Sequence, residues 1–176
     1  MNIRDNRGIN LISLTVTIII LLVITGAMIF NTKNQISAKE INALRNDIEL
    51  LSAKIDDYYL KYGELPELCY YSNKKNFREG LFVRADAKGA TLNSEVNPND
   101  GDEYVVIELE KLEGLTLNYG YEKNGEYFTI KQSRKVNNFA NNPDKIEDEI
   151  FVINTKTHQV YFPHGIFAEG VMYYTF

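Results

Sequence analysis

Residues 9–30 read INLISLTVTIIILLVITGAMIF, twenty-two positions without a charged side chain. A short polar head precedes them, with Arg4, Asp5 and Arg7, and the next charge after them is Lys33. As a helix rising about 1.5 Å per residue, the stretch covers about 33 Å, close to the roughly 30 Å hydrocarbon core of a bilayer. Backbone groups in hydrocarbon must pair within their own segment, so helix is the expected conformation. Ile, Val and Thr are mediocre helix formers in water, but an open backbone in lipid costs far more than that preference. The stretch therefore predicts the transmembrane first half of an N-terminal helix. Arg4 and Arg7 before it favour a cytoplasmic N-terminus. The expected location is a single-pass protein of the cytoplasmic membrane carrying an extracellular domain.

Working outward, apolar residues recur at Ile41, Leu44, Ile48, Leu51, Ile55, Tyr58 and Tyr62, in alternating steps of three and four. That is a helical stripe. Lys39, Glu40, Arg45, Asn46, Glu49, Lys54, Asp56 and Lys61 fall on the opposite face. Neither Pro nor Gly interrupts 31–62, Gly63 suits a C-cap, and Pro66 bars continuation. The spacing predicts an amphipathic second half over 31–63, laid on a sheet. The same near-heptad rhythm also suits a parallel coiled coil, over three heptads only.

Beyond Pro66 the texture changes. Residues 67–79 read as irregular and polar, 80–85 as a short strand, and 86–102 as a turn-rich loop. Residues 104–108 form a β-branched strand pattern, and 109–112 one helical turn. Residues 115–122 and 126–131 flank Lys123-Asn124-Gly125, a hairpin signal. Residues 149–154, 159–163 and 171–176 read as three successive strands. The fold class expected is α+β: a long N-terminal helix on a C-terminal antiparallel β-sheet, with residues 64–176 as the globular domain.

The formal charge is −5, so net charge does not indicate a nucleic-acid partner. Lys131, Arg134 and Lys135 beside Tyr127 and Phe128 form one small basic cluster, more usually a solvated face than a nucleic-acid contact. Cys69 is the only cysteine, so no disulfide closes within the chain. His158 and His164 lack partners at metal-ligand spacing. Asn97-Pro98-Asn99-Asp100-Gly101-Asp102-Glu103 is rich in oxygen ligands, but Gly101 stands where an EF-hand loop does not need it, and a turn is the better reading. No catalytic constellation emerges, and no metal or cofactor is expected.

Arg7-Gly8-Ile9-Asn10-Leu11-Ile12 followed by an uncharged span resembles the processing signal of type IV prepilins and type II secretion pseudopilins. Tyr58-Tyr59-Leu60-Lys61-Tyr62-Gly63-Glu64-Leu65-Pro66 resembles the helix exit of that family. The stretch from Gly170 to Thr175 is similar, more loosely, to pilin-like proteins of low-GC Gram-positive bacteria. The resemblance implies a pilin-like fold, with residues 1–8 as a leader cut between Gly8 and Ile9 by a prepilin peptidase. Ile9 then becomes a methylated N-terminus, and the apolar helix a filament core. It also implies other pilin subunits as partners, with an assembly platform and an ATPase acting indirectly. Most members carry a glutamate at the fifth position after the cut, where this chain has Ser13. Either Ser13 marks a minor or tip subunit, or the filament is held by packing and hydroxyl contacts. Asn10, Ser13 and Thr17 share a helical face and are the candidate polar contacts between helices. Equally, Ser and Thr bond their own i−4 carbonyls in many helices.

The function expected is thus a structural filament subunit, a minor pilin or pseudopilin, rather than an enzyme. Two other readings stay open. Small residues at Thr25-Gly26-Ala27 suit conventional signal cleavage, which would release a secreted chain from Met28. An uncut chain would be an anchored binding or sensor domain.

Overall fold

The computed structural model describes residues 11–96, 101–121 and 149–176, with the side chains of 11–13 and 26–36 excepted. Helix α1 is Leu11–Tyr62, and the chain divides into two compact units, Met1–Ala38 and Lys39–Phe176.

In the second unit, α1 is followed by strand β1 (Glu67–Asn73), helix α2 (Lys74–Ala87) and strands β2 (Thr91–Leu92) and β3 (Glu103–Ile107). A 3-10 turn at Leu109–Lys111 comes next, then β4 (Val152–Asn154), β5 (Val160–Tyr161), β6 (Ile166–Ala168) and β7 (Val171–Tyr173). One sheet has the order β1-β3-β4-β5 with antiparallel neighbours; the other has the order β2-β7-β6. In the smaller sheet β6 and β7 are antiparallel, whereas β2 lies parallel to β7.

The pleat of β3 sorts the core into two layers, since alternate side chains point to opposite faces. Val105 and Ile107 join Leu44, Ile48, Leu51 and Ile55 of α1, together with Ile153, Val160 and Phe162. Tyr104 and Val106 join Phe77, Leu81 and Ala85 of α2, together with Val152 and Tyr161. The four-stranded sheet is therefore covered by the C-terminal part of α1 on one face and by α2 on the other. Phe77 stacks on Tyr104 with ring centroids 4.0 Å apart, and both meet Tyr161 edge-on.

Local chemistry sets the element ends. Gly63 takes φ +72°, and its N–H reaches Tyr59 O at 2.8 Å, closing α1. The Asn73 side chain accepts from Asn76 N at 3.2 Å, capping the start of α2. Phe162 N donates to Tyr174 O at 2.7 Å and Thr175 Oγ1 to Val160 O at 2.6 Å, so the C-terminal segment lies along β5. Gly165 at φ +67° lies under this segment; a Cβ there would stand 2.6 Å from Met172 Cε and from Tyr174 Cε1.

Several expectations are corrected. Among the described residues no helix is long and apolar enough to cross a membrane. The transmembrane half of the helix, and with it a single-pass location in the cytoplasmic membrane, is therefore not supported.

The pilin-like arrangement of one long helix on one antiparallel sheet is also overturned. Among the described residues there are two sheets, one containing a parallel pair, and a second helix covers the face that a one-helix architecture leaves open. Residues 67–73, read as irregular, are a strand with bulges between Glu67 and Cys69 and between Tyr70 and Ser72; these break the alternation that marks a strand in sequence. Residues 80–85, read as a strand, belong to α2, where Phe77, Leu81 and Ala85 recur every four residues. The 86–102 loop contains β2, and the stretch between the strands expected at 159–163 and 171–176 contains β6. Tyr62 is 54% exposed rather than part of the buried stripe. Within 115–121 no strand forms, because Asp47 takes up the backbone N–H groups of Asn118 and Tyr119. The 126–131 partner strand, the Lys123-Asn124-Gly125 turn and the basic cluster at 131–135 lie outside the described residues.

Candidate assembly surface

From Leu14 to Thr25, α1 presents a continuous run of exposed side chains. Nine of them are large aliphatics, between 46% and 68% exposed: Leu14, Val16, Ile18, Ile19, Ile20, Leu21, Leu22, Val23 and Ile24. Each successive residue turns about 100° around a helix axis. The seven consecutive aliphatics from Ile18 to Ile24 therefore cover the whole circumference. A helix that is apolar all round is a helix meant to be surrounded. No charged residue occurs in the run, so nothing there repels a like helix.

One polar residue of the run turns inward on its own backbone. Thr25 Oγ1 donates to Leu21 O at 2.7 Å, the i−4 back-bond that serine and threonine commonly make in helices. Thr17, expected as a helix–helix contact, sits on this exposed segment. Gly8, Ile9 and Asn10, and the side chain of Ser13, lie outside the described residues. The geometry of the expected cut and of the face shared by Asn10, Ser13 and Thr17 is therefore not in view.

The second unit has polar sites of its own. Asp47 is 1% exposed on the buried face of α1. Its carboxylate accepts from Asn118 N at 3.0 and 2.8 Å, Asn118 Nδ2 at 2.9 Å and Tyr119 N at 2.9 Å. Burial pushes its carboxyl up from the ordinary value, while the hydrogen bonds from Asn118 and Tyr119 pull it down. Asp102, also buried, accepts from Asn154 Nδ2 at 2.8 Å and pairs with Lys156 Nζ at 3.3 Å. Asn154 Oδ1 in turn accepts from Lys156 N and Thr157 N, shaping the β4–β5 turn. Asn93 bridges the end of β2 to the C-terminal segment through Thr175 O and Tyr174 N. Each arrangement engages its polar groups in loop-to-core contacts.

Sequence reasoning missed these anchors. For Asp47 a signal existed: it lies between Leu44 and Ile48 on the apolar stripe, where a carboxylate must find buried donors. For Asp102 and Asn154 there was none, since they are 52 residues apart and meet only through the sheet.

The remaining candidates carry little chemistry. Burial, with Glu67 adding, pushes the Cys69 thiol up from its usual range, away from a reactive thiolate. His158, at φ +57°, packs its ring edge-on against Tyr59 with Nδ1 3.7 Å from Asp56 Oδ1. His164 lies beside the Phe162 ring. Among the described residues no three His, Cys, Asp or Glu side chains gather as metal ligands.

A shallow cavity of about 140 Å³ opens at the end of α1, lined among others by Lys54, Asp57, Lys61, Lys111 and Glu113. Lys111 is already held by Glu108 at 2.9 Å and by Glu67 O at 3.2 Å. Opposite charges line the walls together, so the cavity does not concentrate one sign of potential. The exposed apolar run of α1 is thus the surface with the clearest need for a partner. No family model, no curated protein and no solved structure matches the chain.

Proposed function

We propose that this protein is a structural subunit whose copies, or close relatives, pack together through the apolar N-terminal part of α1, after a prepilin-type peptidase has cut between Gly8 and Ile9. One observation carries the reading: among the described residues, nine large aliphatic side chains stand exposed around one helix. Full burial of such side chains is worth roughly 1.5–3 kcal/mol each, which summed over the run is of the same order as the cost of association. Because the apolar surface encircles the helix, one neighbour cannot cover it; a bundle can.

The Arg7-Gly8-Ile9 signal supports the processing step. The reading rests on the head of the chain, not on the architecture of the domain. In it the chain does no chemistry of its own. Cutting and methylation fall to the peptidase, and assembly to an ATPase and platform protein.

N-terminal sequencing with intact-mass measurement tests this. The expected mature protein begins at Ile9 with one added methyl. A chain beginning at Met28 would make it a conventionally secreted protein, and an uncut Met1 or Asn2 would leave an anchored domain; either result overturns the proposal. Gly8→Val puts a branched side chain at the cut and is expected to accumulate uncut protein.

A further inference from the structure

We draw no further inference here: the strongest candidate, the exposed apolar patch that Phe82 and Val83 form on α2, carries none because nothing in the structure shows what covers it.

Discussion

Asp47 shows how one side chain can decide the path of a loop. It sits on the apolar stripe of α1, accepts four hydrogen bonds from Asn118 and Tyr119, and so turns 115–121 into a loop where alternation suggests a strand. Asp47→Ala leaves buried N–H donors without acceptors and is expected to cost about 2–4 kcal/mol in chemical denaturation; a loss under 0.5 kcal/mol would show that the loop is held by something else. The buried tyrosines make a second residue-scale case. Burial raises Tyr104 from 10.0 to about 12, and raises Tyr161 and Tyr174 further. Their folded values exceed the unfolded one, so the stability they contribute is fully present below pH 10 and lost as pH rises through the folded values. Spectrophotometric titration should show a class of tyrosines, these three, ionising only together with alkaline unfolding, and Tyr104→Phe should flatten the fall in stability above pH 10. A titration in which these three also ionise near pH 10 with the fold intact would contradict this.

Elements differ in how openly the sequence announces them. The stripe of α1 is legible because its spacing is regular, and Leu44, Ile48, Leu51 and Ile55 all lie in the core. Helix α2 is obscured by Lys74, Lys75 and Asn76 at its start and by Gly80 in its middle, a residue costing about 1 kcal/mol relative to Ala. What holds it is tertiary: Phe77, Leu81 and Ala85 fill the second face of the sheet. Leu51→Ala should therefore cost about 2–5 kcal/mol by leaving a cavity in the first layer. Asn73→Ala should cost only about 1 kcal/mol by removing a cap. Urea melts of both variants check the order; a cap effect equal to the core effect would mean that α2 is marginal and depends on its N-terminus. Strand β1 was illegible for another reason, since two bulges shift its side chains from one face to the other.

At the scale of the molecule, composition splits the chain. The Met1–Ala38 unit carries three basic residues and one acidic, whereas Lys39–Phe176 carries sixteen basic and twenty-three acidic, a net −7. The larger unit buries its apolar stripes on both faces of a sheet; the smaller leaves nine large aliphatics uncovered. Self-association should therefore reside in the smaller unit. Ile19→Glu with Leu22→Glu places like charges on the exposed helix and is expected to shift the full-length protein to monomer in sedimentation velocity. An unchanged oligomer would move the assembly surface elsewhere.

The sequence by itself determined where apolar periodicity runs along α1, where Gly63 and Pro66 stop it, and that an uncharged stretch at 9–30 needs cover, because these depend on neighbours in the chain. Only the tertiary structure decided that 67–85 is a bulged strand and a second helix, that β2 lies parallel to β7, and that Asp102 meets Asn154. Those outcomes are set by contacts between residues far apart in sequence, where sheet pairing and burial outweigh local preference.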